Sequence, residues 1–319
     1  MSDQREIFDR RVLRRHRERA APGIAGHDFL VREVAARLLD RLEDVRRRFP
    51  LALDLGCRHG VVAELLGGRG GVERLVQADL SPAMARLAAA RGGAGLEAPA
   101  VAADAEALPF ADRSFDLVLS VLDLHWVNDL PGALLQIARA LKPDGLLLAA
   151  MVGGESLTEL REALLRAELE VEGGVSPRVS PLADLRDLGG LLQRAGFALP
   201  VADLDSLTVT YPSPLALMRD LRGMGESGAD RNRRRGLTRR ETLLRAAALY
   251  QQAHGDAVGR IPARFDILYL TGWAPHASQP SPLRPGSARA RLAEALDSRE
   301  QPTGEKPGGG TAKGGNAKD

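Results

Sequence analysis

With 319 residues, 44% of them hydrophobic, the chain can bury a sizeable core, and its length suits one elaborated domain carrying an insertion. Charged residues make up 27% and the net charge is only +2, so the balance demands neither nucleic acid nor an anionic membrane. Cys57 is the single cysteine, which excludes an internal disulfide and a cysteine-based zinc cluster and fits a reducing compartment.

Residues Ile7 to Ala21 read as an Arg-rich helical stretch, and Asp28 to Phe49 as a second, amphipathic one with Leu30, Val34, Leu38 and Leu42 at helical spacing. The Arg-rich beginning also carries Asp3, Glu6, Asp9 and Glu18, unlike an acid-poor transit peptide. From Leu51 the texture changes to short apolar runs that end in an acid and a turn: "LALDLG", "RLVQADLS", "APAVAADAEALPF" and "FDLVLSVLDL". Helices fall between them at Gly60 to Leu66, at Ser81 to Arg91 with Ser81 as N-cap and Pro82 first in the helix, and at Leu130 to Leu141. "LKPDGLLLAAMV" supplies a turn and a fifth strand, too short for the roughly 18 residues of a membrane span.

After Gly153 come two helical stretches, "SLTELREALLRAELEVEGG" and "SPLADLRDLGGLLQRAGF", then the strand-like "LDSLTVTYP". Two more helices, "SPLALMRDLRGMGES" and "TRRETLLRAAALYQQAHG", precede a last strand, "RFDILYLTGWAP". Strand alternating with helix predicts an α/β, mostly parallel sheet wound on both faces, with ligands outside the carboxyl ends of its strands. The expected organisation is an N-terminal helical segment over 1–49, a core domain over 50–277 with a helical insertion at about 212–256, and a Pro/Gly/Ser/Lys-rich tail over 278–319 too poor in apolar residues to fold alone.

Three features stand in order. Asp54-x-Gly56-x-x-x-Gly60 ends a strand and starts a helix, where glycines permit a tight turn and close backbone approach. Asp79 ends the second strand, about 20 residues on, where a ribose-binding acid sits in such folds. Asp104 follows the third strand, where an acid can accept a hydrogen bond from an adenine amino group. Each alone is weak; the ordered set resembles the class I S-adenosylmethionine-dependent methyltransferases, and "ADAEALPF" and "SFDLVLS" look like that family's third and fourth strands.

The resemblance implies a Rossmann-like fold with a seven-stranded sheet and S-adenosylmethionine as cofactor, held by Asp54, Gly56, Gly60, Asp79, Leu80, Asp104 and Ala105. Arg58 stands where the family has its middle glycine, so its backbone angle must suit a Cβ. Its side chain either approaches the cofactor's carboxylate or points to solvent. A redox dinucleotide would want Gly-x-Gly-x-x-Gly, which "LGCRHG" does not supply.

A narrower resemblance spans about Ile7 to Ser287. "IFDR", "LHWVNDLP", "LKPDG", "EGGVSPRVSPL", "LMRDLRGMGES" and "ILYLTGW" look like a mitochondrial and alphaproteobacterial family of complex I assembly factors with a methyltransferase fold. That resemblance implies a complex I subunit, the iron–sulfur subunit near the quinone site, as protein substrate, and hydroxylation of an arginine on it. The malonyl-carrier-protein methyltransferases look like cousins, sharing the "LHW" region and the "LMRDL" helix.

His125 and Trp126 follow the fourth strand and are the candidate catalytic residues: an aromatic there walls a pocket and a histidine moves a proton, although packing explains both nearly as well. "GMGESG", 223–228, reads as a lid or a plain loop, and "RNRRR", 231–235, as a solvated charge run or a dock for an acidic partner. His59 reads as incidental. No metal site is expected, since His16, His27, His254 and His276 are scattered. The expectation is a cytoplasmic, bacterial-type enzyme that reaches the inner membrane face only through its partner. Its rivals are an O-methyltransferase on a small or carrier-bound acid and a non-catalytic assembly chaperone.

Overall fold

In the computed structural model, which describes residues 6–93, 95–280 and 297–298, the short apolar runs form five parallel strands. They are β1 (Leu51–Leu55), β2 (Arg74–Asp79), β3 (Ala100–Ala102), β4 (Phe115–Val121) and β5 (Leu141–Gly153). β6 (Ala198–Tyr211) and β7 (Ile261–Trp273) complete a seven-stranded sheet of order β3-β2-β1-β4-β5-β7-β6, with β7 antiparallel to both neighbours. This is the mostly parallel sheet the pattern predicts. The chain reverses direction across the sheet between β1 and β4, so a crevice opens at their carboxyl ends.

Strand alternation splits the core. On β5, Leu146, Leu148 and Ala150 face one layer, while Leu147, Ala149 and Met151 face the other. The first layer holds α2 (Phe29–Glu43), α3 (Val61–Leu65), α6 (Thr158–Glu172), α8 (Pro214–Gly223) and α9 (Arg240–His254); the second holds α5 (Leu130–Ala140) and α7 (Leu185–Arg194). α4 (Pro82–Arg91) starts at Ser81, whose hydroxyl accepts from the Met84 amide. α1 (Arg10–Ala20) is capped by Asp9, whose carboxylate accepts from the Arg11 and Val12 amides at 3.1 Å.

Several bounds differ from the sequence reading. α1 stops at Ala20 because Pro22 and Gly23 follow in a 3-10 turn, Ala21–Gly26. α2 ends at Glu43 rather than Phe49: the chain leaves the helix before Pro50, which disfavours a helical Phe49, and Phe49 is buried with its amide on the Gly70 carbonyl at 2.8 Å. β6 starts at Ala198, six residues before the alternating stretch, because the run from Ala198 pairs with β7 across a register shift. The described residues up to Ala277 form one compact unit. The tail expected over 278–319 lies outside the described residues, except for 278–280 and 297–298. Among the described residues no helix is long and apolar enough to cross a membrane.

Candidate functional site

The turn from β1 to α3 is built on left-handed backbone. Gly56 has φ +79° and Gly60 φ +84°. A Cβ at Gly56 would overlap the Asp123 side chain, and one at Gly60 would lie 3.1 Å from the Ala88 Cα. Both glycines are therefore steric necessities. The Gly56 and Cys57 amides donate to the Ala78 carbonyl at 2.8 and 3.0 Å, which ties the turn to β2.

Arg58 is also left-handed, at φ +49°, a conformation costing roughly 1–2 kcal/mol for a residue with a Cβ. The side chain does not point to solvent, one of the two expectations for it. It is 1% exposed, and its guanidinium donates to the Leu122 carbonyl at 2.7 Å, the Met224 carbonyl at 3.1 Å and the Glu226 carboxylate. His59 is likewise buried, with Nε2 3.0 Å from the Asp28 carboxylate. The strain at Arg58 is offset by three charge-assisted bonds that a glycine could not make.

The predicted acids come together at the strand ends. Asp79 accepts from the Ser81 amide at 2.7 Å on Oδ1 and from the Arg58 amide at 3.0 Å on Oδ2. Asp104 accepts from the Glu106 amide at 3.0 Å. Leu80 packs against the cluster of Phe8, Leu13 and Trp126, and Ala105 is buried beside Leu53 and Leu55. Asp54 is fully buried with neither carboxylate oxygen partnered; burial, then the Asp79 and Asp123 charges, push its carboxyl well above the ordinary range.

Four residues of the site were not read from the sequence. Asp123, just past β4, is buried, and although burial opposes its charge, the Arg17 guanidinium holds its carboxyl below the ordinary range. Arg17 bonds Asp123 and lies 3.5 Å from Asp79. Arg10 bonds Asp104 and donates to the Trp126 carbonyl at 3.1 Å. α1 therefore lies across the acids assigned to the ribose and the adenine. The missed signal was that Arg10 and Arg17 share the helical face of the apolar Leu13 and Ala20.

Glu226, in the stretch read as a lid, is the fourth. It accepts from Trp126 Nε1 at 2.6 Å, from His125 Nε2 at 3.2 Å and from Arg58. One carboxylate thus ties the Gly56 turn, the "LHW" turn and "GMGES". Burial opposes its charge, but Arg58 and then His125 hold it far below the ordinary range. A carboxylate accepts only, so His125 Nε2 is the donor, and in the neutral ring Nδ1, buried and without a partner, keeps its lone pair. These groups border a cavity of about 200 Å³ whose other walls are mainly aliphatic, among them Leu30, Leu122, Leu160 and Leu221. The arginine run beyond it is paired within the chain: Arg231 with Glu6, Arg233 with Asp9 and Arg234 with Glu172.

The residues present fit a nucleoside cofactor. Asp79 and Asp104 are oriented by backbone amides and accept guanidinium N–H donors from α1, which stand where hydroxyl and amino donors of a nucleoside would bond. The turn beside them has no room for a Cβ at Gly56, and Asp54 offers two unpartnered oxygens.

The family profile of a methyltransferase domain matches residues 53–149. The mitochondrial arginine-hydroxylase NDUFAF5 of Danio rerio is 48% identical over 290 residues, 90% of this chain and 89% of that protein. Malonyl-[acyl-carrier protein] O-methyltransferase of Halorhodospira halophila is 40% identical over 268 residues, 84% and 89% of the two chains. Among solved structures, the YcgJ protein of Bacillus subtilis has a TM-score of 0.53 at 16% identity, covering 76% of this chain and 99% of that one; at that identity the likeness is one of fold.

Two stability outcomes follow from this geometry. Glu226→Ala strands a buried guanidinium and should cost about 3–5 kcal/mol in denaturant unfolding; a loss under about 1 kcal/mol would mean that the tie is not structural. For Asp54 the folded carboxyl lies above its ordinary 3.8, so its contribution is full below that pH and is lost as pH rises through the raised value. Asp54→Asn should therefore melt higher than the parent at neutral pH and lose that advantage below pH 3.8. A pH-independent difference would contradict the buried carboxylate.

Proposed function

Because the chain belongs to the methyltransferase-fold family of the arginine-hydroxylase NDUFAF5 proteins, we propose that it binds S-adenosylmethionine at the ends of β1, β2 and β3 and acts on an arginine side chain of a complex I subunit. One observation carries the cofactor half of this reading: two acids on successive strands, Asp79 and Asp104, each fixed by a backbone amide and each able to take a further donor. Asp79 would take the ribose hydroxyls, Asp104 the adenine amino group, with Leu80 and Ala105 beside the ring. The turn from Gly56 to Gly60 would hold the methionine part, and Asp54, with its free oxygens, the ammonium group.

When bound, the cofactor would supply an electrophilic methyl group whose carbon an acceptor lone pair attacks in line, the neutral thioether leaving as the C–S bond breaks. The chain's own contribution is orientation and exclusion of water. Trp126 closes the site by packing edge-on against Phe8 at 5.2 Å, and Glu226 fixes the ring of His125, whose Nδ1 is left to accept a proton. The modification proposed is the hydroxylation for which the NDUFAF5 relatives are named, in which dioxygen would supply the inserted oxygen and a separate two-electron reductant would take its second atom to water, since S-adenosylmethionine supplies neither. Methyl esterification of a carrier-bound acid is the second reading, favoured by the carrier-protein relatives and by the aliphatic walls of the cavity. In a bacterial cell the enzyme would work in the cytoplasm, meeting the membrane through its complex I partner.

Calorimetric titration with S-adenosylmethionine should show saturable binding that Asp79→Ala weakens at least tenfold, about 1.4 kcal/mol. Absence of binding by the parent protein would leave the assembly-chaperone reading. Intact masses of complex I subunits from cells with and without the gene should then differ by one oxygen on an arginine. A methylene difference, or methylation of a carrier-bound acid alone, would overturn hydroxylation.

A further inference from the structure

Arg17 heads the fully buried side chains by size, at 1% exposure, and it is a cation. Burying a guanidinium costs several kcal/mol unless carboxylates face it. Here two do: Asp123 is bonded to it and Asp79 is 3.5 Å away, while Arg17 Nε is buried without a partner. The place Arg17 fills is therefore a guanidinium socket with an acidic floor.

Its position gives it meaning. Asp123 lies flush against the Gly56 turn on one side, where a Cβ would overlap it, and leads directly into Leu124, His125 and Trp126 on the other. Whatever guanidinium rests on Asp123 is thus held between the cofactor turn and the two residues that border the cavity. Glu226 is already committed to Arg58, Trp126 and His125, and Asp54 is buried behind with its charge disfavoured. Asp79, Asp104 and Asp123 all take their bonded cation from α1, and with Asp79 and Asp104 assigned to the cofactor, Asp123 is the one of the three left for a substrate.

We infer that Asp123 is the carboxylate that receives the guanidinium of the arginine to be modified, and that Arg17 occupies its place as an internal surrogate in the free protein. This rests on the reading that the site acts on an arginine. Arg10 holds Asp104 from the same helix, so one displacement of α1 frees Asp79, Asp104 and Asp123 together. Entry of cofactor and entry of substrate are thereby joined. A ligand that must displace an internal competitor binds more weakly by the fraction of time the site is free, and removing the competitor restores its affinity.

Two measurements test this on the full chain. Arg17→Gln should bind Nα-acetyl-arginine amide at least tenfold more tightly than the parent, with no gain for the neutral Nα-acetyl-citrulline amide; equal affinities, or an equal gain for both, would overturn the inference. In cells, Asp123→Asn should abolish modification of the subunit arginine while the purified variant binds S-adenosylmethionine at least a third as tightly as the parent. Modification retained in that variant, or lost together with cofactor binding, would overturn the assignment of Asp123 alone. An unaltered subunit in cells carrying the parent gene would instead remove the functional reading and this inference with it.

Discussion

The Arg17 guanidinium is bonded to Asp123 and sits 3.5 Å from Asp79, and a cation so deeply buried is tolerable only because both carboxylates converge on it. Much else follows from that convergence. Asp79 ends β2 and Asp123 follows two residues after β4, the strands on either side of β1, so the sheet order itself creates the pair. The Gly56 turn must lie flat beneath Asp123, which is why it tolerates no Cβ. α1 is held over the strand ends by Arg17 and Arg10, and Phe8, Val12 and Leu13 bring its apolar face onto Trp126.

Two kinds of tie hold the site, and they differ in permanence. Glu226 joins the Gly56 turn, the "LHW" turn and "GMGES" through one buried carboxylate, the one to which the Arg58 guanidinium is bonded. That tie is framework. The tie through α1 uses side chains of a single helix, whose carboxylate partners keep their own backbone-amide donors at Asp79 and Asp104 when the helix leaves. Asp54 adds a cost in the same region: a buried, unpartnered carboxylate weakens the fold at neutral pH.

The fold was readable because parallel strands buried on both faces leave near-continuous apolar runs, and because Asp54, Asp79 and Asp104 mark their ends. Gly56 and Gly60 were readable for a local reason, since positive φ is a property of one residue. Arg58 was not. Its partners lie 64 to 168 residues away in sequence, and its turn has no periodicity that would mark it as buried. Arg17 does lie on the apolar face of its helix, but its pairing with Asp123, 106 residues away, is set only by the packing of α1 on the sheet ends. The ends of α1 and α2 were misjudged where Pro22 and Pro50 outweighed helical periodicity.

The central claim is that α1 stands in for ligands and gives way to them. Amide hydrogen exchange of residues 10–20 in the full chain, with and without saturating S-adenosylmethionine and Nα-acetyl-arginine amide, tests it most directly. Faster exchange across α1 with both ligands present, against unchanged exchange in β4 and β5, is the expected result. Exchange in α1 that slows or stays the same would mean that the helix closes over its ligands or never moves, and Arg17 would then be part of the finished site rather than a placeholder in it.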